Sequence, residues 1–137
     1  MKPPPGEFIY LSQEDVIRAG VLDMSAAIAR IERALSLLDS GECIDPDKSV
    51  LRWSDDPKVE SVRGRVNFLS AYIGGEMDVL GMKWVGSFPA NRDRDLPRAT
   101  ALIILNDPTT GFPIALLEGS LISAVRTGAI TGIAAKY

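Results

Sequence analysis

The sequence has no histidine, a single cysteine and no apolar stretch long enough to span a membrane as a helix. Without imidazole, Ser-His-Asp triads, HExxH metal sites and histidine acid-base pairs drop out together. Cys43 is alone, so it has no internal disulfide partner, no Cys-His dyad and no zinc set, and no metal site is expected. GxGxxG and GxxxxGK[ST] phosphate loops are also missing, and Ile73-Gly74-Gly75-Glu76 reads instead as a hairpin turn. A net charge of −3 with no basic run excludes a nucleic-acid surface. The start, Met1-Lys2-Pro3-Pro4-Pro5-Gly6-Glu7, lacks the apolar core of a secretory signal, so the expected setting is cytoplasmic, with no membrane partner.

What is present suits one globular domain with a real core: 137 residues, 46% hydrophobic and 24% charged. Residues 1–7 read as a poorly ordered tail, and Phe8-Ile9-Tyr10-Leu11 as a short strand. Ser12 with Asp15 three residues on marks the start of a short helix to about Ala19. Residues 24–39 carry the clearest helical pattern, with Ala27, Ile28, Ile31, Leu35 and Leu38 as the apolar stripe and Gly41 as the stop. From Pro46 to Glu118 the pattern changes to β-type runs at 48–53, 65–72, 79–85, 99–106 and 114–118, which predicts a largely antiparallel sheet covered by helix. The turns are Asp55-Asp56-Pro57, residues 73–76 and Asp107-Pro108-Thr109-Thr110-Gly111. Residues 88–98, rich in arginine and aspartate, read as a charged loop. A last helix is expected over 121–137, capped by Ser120. Its Ala124, Gly128 and Gly132 share one face, and the two glycines call for close approach to another element. The helical pattern meets no stop signal at Lys136-Tyr137, which reads as the front part of a longer architecture.

Two cations concentrate the chemistry. Lys83 lies in the apolar run Gly81-Met82-Lys83-Trp84-Val85-Gly86, and Arg126 in the small-residue run Ser123-Ala124-Val125-Arg126-Thr127-Gly128-Ala129. A charge among residues that favour burial requires a partner. For Lys83 that partner is either a ligand or a protein carboxylate, Glu118 or Glu76. For Arg126 it is a ligand or the charged loop. Thr127 is open to back-bonding within its helix, and Arg98 has structural and ligand-binding uses open to it.

The run 81–137 resembles the N-terminal half of the ornithine cyclodeaminase/μ-crystallin family, with weaker similarity back to about Phe8. The features that carry the resemblance are Lys83-Trp84-Val85, Pro89-Ala90-Asn91, the strand-turn-strand over 103–117 and Arg126-Thr127. Within the family, Ile73-Gly74-Gly75-Glu76, Lys83-Trp84-Val85-Gly86-Ser87, Arg98-Ala99, Ile103-Ile104-Leu105-Asn106-Asp107-Pro108 and Leu121-Ile122-Ser123 look most like the NAD-dependent branch that forms 2,3-diaminopropionate.

The resemblance implies an α/β (α+β) substrate-binding and dimerisation domain over 8–120. Residues 121–137 would then start the helix leading to a Rossmann domain that is not expected within this chain. It also implies an amino-acid substrate, NAD as cofactor and a homodimer. Lys83 and Arg126 match positions that hold the substrate α-carboxylate, and Arg98, Arg126 and Thr127 are the implied cofactor contacts. In the ornithine-cyclising members an arginine near Lys48 also binds the carboxylate. Here the register puts Leu51 at that position and Arg52 one residue on, so Lys48 and Arg52 are the candidate substitutes. No residue of this chain is assigned as a catalytic acid or base.

Overall fold

The computed structural model describes residues 6–54 and 63–137. The expected tail lies outside the described residues over 1–5, as does the turn Asp55-Asp56-Pro57. A seven-stranded sheet carries the fold. Its strands are β1 (Ile9–Leu11), β2 (Cys43–Ile44), β3 (Ser49–Trp53), β4 (Gly64–Ile73), β5 (Val79–Ser87), β6 (Ala99–Asn106) and β7 (Pro113–Glu118). The main path runs β1-β7-β6-β5-β4-β2, and β3 pairs with the other end of β4. All these pairs are antiparallel except β1 with β7. Each strand of the sequence reading is present, and β2 is an addition. Part of the charged loop forms a short 3-10 helix, Pro89–Arg94, which the sequence reading left without structure.

Three helices accompany the sheet: α1 (Gln13–Arg18), α2 (Met24–Asp39) and α3 (Ser120–Lys136). The Ser12 cap forms as the sequence suggested: Ser12 Oγ accepts from Asp15 N–H at 3.3 Å while Asp15 Oδ2 accepts from Ser12 N–H at 2.9 Å. Gly41 ends α2 at φ +77°, with Glu42 N–H donating to Leu37 O and Gly41 N–H to Leu38 O. That pair of bonds satisfies two terminal carbonyls and needs the left-handed backbone glycine permits.

The apolar stripe of α2 holds at Ala27, Ile28 and Ile31, which are half-buried, and differs from the expected one at its end. Leu35 and Leu38 are each 46% exposed, whereas Leu37 is 1% exposed and is the largest fully buried side chain among the described residues. The reason is where the helix docks. Leu37 faces the β4–β5 turn, its Cδ2 3.0 Å from where a Cβ on Gly75 would stand. The same junction is tied by Gly74 N–H donating to Glu42 O at 2.9 Å and by Arg33, whose Nε and Nη2 donate to the two carboxylate oxygens of Glu76 at 2.6 and 2.7 Å. These bonds hold the Glu76 carboxyl well below its ordinary range, at about 2.

The glycine face of α3 meets α2 as the sequence required. A Cβ on Gly128 would sit 3.4 Å from Met24 Cε, and one on Gly132 3.1 Å from Ile28 Cδ1. Ala129 beside them is fully buried, and Lys136 Nζ donates to Glu32 Oε1 at 2.8 Å near the end of the helix pair. Ser120 does not cap α3. It is the first helical residue, and its Oγ accepts from Ala101 N–H at 3.0 Å, fastening the helix start to β6. The terminal N–H groups of Ser120 and Leu121 donate instead to the Glu118 carboxylate, at 2.7 and 3.4 Å. A carboxylate is favoured there because those amides otherwise have no partner and carry the positive end of the helix dipole.

Candidate functional site

Strand alternation sorts the candidate residues by face. Lys83 on β5 pairs with Leu69 on β4 and Ile103 on β6, and these share one side of the sheet. Helix α3 lies over that side: Lys83 Nζ donates to Ser123 Oγ at 3.2 Å. Between them opens a cleft of about 420 Å³, lined by Lys83, Ser123 and Arg126 with Asp45, and floored by apolar side chains including Ile103 and Leu105. The sequence-level protein partners for Lys83 are both engaged elsewhere, Glu118 at the start of α3 and Glu76 with Arg33.

Lys83 is therefore a partly buried ammonium whose hydrogen bond goes to a neutral hydroxyl. Burial pushes its pKa below the ordinary 10.5, and the Arg126 charge beside it pushes in the same direction. Both effects penalise the cation in the empty cleft, and an arriving anion relieves both. Arg126 stands exposed at the cleft wall, where its planar fork is free to hold two carboxylate oxygens. Asp45, which follows β2, is the acidic residue of the lining. Two cations and one carboxylate around a cleft match the opposite charges of an amino acid. Sequence reading missed Asp45 and the hydroxyl of Ser123, since they join Lys83 in one cleft only through the pairing of β2 with β4 and the docking of α3.

The remaining candidates separate. Arg52 lies on the same side of the sheet as Lys83, because it pairs with Arg65, which pairs with Ser87 four residues along β5. It lines a different pocket, of about 210 Å³, together with Arg65, Ser87 and Arg98. Leu51 faces the opposite side and is 56% exposed. Lys48 is exposed just before β3 and lines neither pocket. Thr127 is exposed on α3, and its hydroxyl donates back to Ser123 O at 2.8 Å, so the sequence's plainer use of it is realised. Among the described residues no group of three or more Asp, Glu, Cys or His is placed to hold a metal ion. No helix among them is long and apolar enough to cross a membrane.

Residues 9–137 match the profile of the ornithine cyclodeaminase/mu-crystallin family. The chain is 38% identical over 132 residues to N-((2S)-2-amino-2-carboxyethyl)-L-glutamate dehydrogenase of Staphylococcus aureus, covering 96% of this chain and 39% of that protein. It is 37% identical over 131 residues to alanine dehydrogenase of Archaeoglobus fulgidus, covering 96% of this chain and 37% of that protein. Among solved structures, an archaeal alanine dehydrogenase dimer with bound NAD superposes with a TM-score of 0.82 at 36% identity, over 95% of this chain and 37% of that one. The Thermococcus litoralis Δ1-pyrroline-2-carboxylate reductase in complex with NADH and L-proline gives a TM-score of 0.82 at 35% identity, over 95% of this chain and 38% of that one. The chain thus spans under two fifths of the length of these relatives.

Proposed function

Because this chain belongs to the ornithine cyclodeaminase/mu-crystallin family, we propose that it supplies the substrate cleft of an NAD-dependent oxidoreductase of amino-acid metabolism. The observation that carries the reading is Lys83: a partly buried ammonium that bonds to no carboxylate among the described residues, set beside Arg126 in a cleft over the sheet. A buried cation left in this state is destabilising by itself, so its retention points to a bound anion. The two cations hold the substrate α-carboxylate, and Asp45 faces the substrate amine. The substrate named first is N-(2-amino-2-carboxyethyl)-L-glutamate, after the Staphylococcus aureus relative, with release of 2,3-diaminopropionate and 2-oxoglutarate.

NAD, when bound, accepts the hydride from the carbon next to the held carboxylate. The guanidinium groups of Arg126 and Arg98 suit phosphate oxygens, being permanently charged planar donors. Thr127 is the weaker of the cofactor contacts, because its hydroxyl proton is already committed to its own helix.

The test is substrate binding and turnover in a complete enzyme carrying this segment, with Lys83→Ala and Arg126→Ala compared with the parent. Each variant is expected to raise KM or lower kcat/KM by roughly tenfold or more, the scale of a charge-assisted hydrogen bond, with unchanged melting behaviour. Normal kcat/KM in both variants would remove the basis of the reading.

A further inference from the structure

The second pocket on the Lys83 side of the sheet has a feature the substrate cleft does not explain. Arg52 and Arg65 are direct cross-strand partners in β3 and β4, so two like charges stand opposite each other on one face. Such pairs are destabilising, and natural sheets place opposite charges or neutral side chains there instead. Arg98, immediately before β6, closes the same pocket, and buried Ser87 forms part of its wall. None of the three arginines makes an ion pair among the described residues. Three arginines, all exposed, therefore line one pocket of about 210 Å³ in a chain whose net charge is −3. Strands β3, β4 and β5 pair in continuous register through Arg52, Arg65 and Ser87.

We infer that Arg52, Arg65 and Arg98, with Ser87, form a second oxyanion subsite that works together with the Lys83–Arg126 cleft. This rests on the proposed reading of that cleft and extends it. Lys83 and Ser87 are four residues apart on β5, roughly 13 Å at the rise of an extended strand, and both side chains project to the same side. An enzyme of the proposed kind handles two extended molecules that carry a second oxyanion: a substrate with a far carboxylate, and the dinucleotide with its phosphates. Planar, bidentate donors suit either group. If the far group is a carboxylate, the substrate class is an amino acid bearing at least one further carboxylate well removed from the first, and monocarboxylic amino acids leave the pocket unused.

The experiment is an NMR titration of the 137-residue chain, following the side-chain Nε–H signals of arginine, with glutarate as the carboxylate probe and inorganic pyrophosphate as the phosphate probe. The signals of Arg52 and Arg65 are expected to shift and saturate with at least one probe. Arg65→Met should weaken that response roughly tenfold or more. Arg65→Lys, which keeps the charge and loses the fork, should fall between, and it serves as the readout should the methionine variant not fold. Saturation by glutarate alone assigns the subsite to the substrate's far carboxylate, and by pyrophosphate alone to the cofactor. If neither probe saturates, or if Arg65→Met and Arg65→Lys both respond as the parent does, the subsite is refuted while the Lys83–Arg126 reading stands. The converse, an intact arginine response with normal turnover in Lys83→Ala and Arg126→Ala, would refute the cleft and keep the anion pocket.

Discussion

Replacing Leu37 with alanine tests how α2 is anchored to the hairpin that carries Lys83. The neighbouring Leu38 is the natural control, since the two differ by one position on the same helix and one methyl-rich side chain is 1% exposed while the other is 46% exposed. Truncating a fully buried leucine costs about 3–5 kcal/mol, made of lost transfer free energy and the cavity left behind. At Leu37 the space is bounded by the Gly74–Gly75 backbone and by the hydrogen-bonded end of α2, so little can collapse into it. Unfolding entropy near the midpoint is about 2.1 cal/mol/K per residue, or roughly 0.29 kcal/mol/K for a chain of this length. A loss of about 3 kcal/mol then lowers Tm by roughly 10 °C. Leu38→Ala removes a side chain already half in water, with an expected loss under about 1 kcal/mol and a shift below about 4 °C. Thermal unfolding by circular dichroism at one fixed protein concentration measures both. Equal shifts, or a larger one for Leu38→Ala, would show that α2 docks through the Leu35–Leu38 stripe and that the described junction is wrong.

Two further outcomes follow from the sheet's two faces. Lys83→Met is expected to match or exceed the parent in stability at pH 7, because it removes a desolvated cation and keeps the stem. The folded pKa of Lys83 lies below its ordinary 10.5, so between those values the unfolded state binds more protons and parent stability rises with pH. The difference between the melting curves of the parent and Lys83→Met should therefore narrow as pH approaches 10, and a variant less stable by over about 1 kcal/mol at pH 7 would contradict it. On the opposite face Leu51 and Leu102 are 56% and 36% exposed, and we propose that this side pairs two copies of the chain. Light scattering after gel filtration should report a dimer for the parent and a monomer for Leu102→Asp; a parent that stays monomeric at high concentration would end that proposal.

The features legible in the sequence were those set by local rules. The turns at 73–76 and 107–111, the Ser12–Asp15 cap and the Gly41 stop each act within a few positions, and each forms the predicted structure. The glycines of α3 were legible because internal glycine in a helix is destabilising without a close neighbour, and α2 is that neighbour. The end of the α2 stripe was misread, while Ala27, Ile28 and Ile31 are half-buried as expected, because the helix carries apolar residues on more than one face. Leu35, Leu37 and Leu38 are all available, and only the position of the β4–β5 turn decides that Leu37 is the one enclosed. Ser120 was misassigned for a related reason: Glu118 and Ala101 compete for the same helix start, and Ala101 arrives from a strand far away in sequence.

The same distinction separates the two cationic sites. Lys83 stood out in the sequence because an isolated charge in an apolar run conflicts with its surroundings, and such local conflicts concentrate where function overrides stability. Arg65 gave no such signal. It follows Gly64 at the start of a strand, and its conflict is with Arg52, brought opposite only by strand pairing. Both sites share one physical sign: cations positioned by the fold that bond to no carboxylate among the described residues, on the Lys83 side of the sheet. Glu118 is engaged at the start of α3, Glu76 with Arg33 and Glu32 with Lys136, which leaves Asp45 as the carboxylate lining the Lys83 cleft. Charge pairing is thus completed around the helices and left open along the sheet face, which is the arrangement a ligand carrying negative charge at two points would complete.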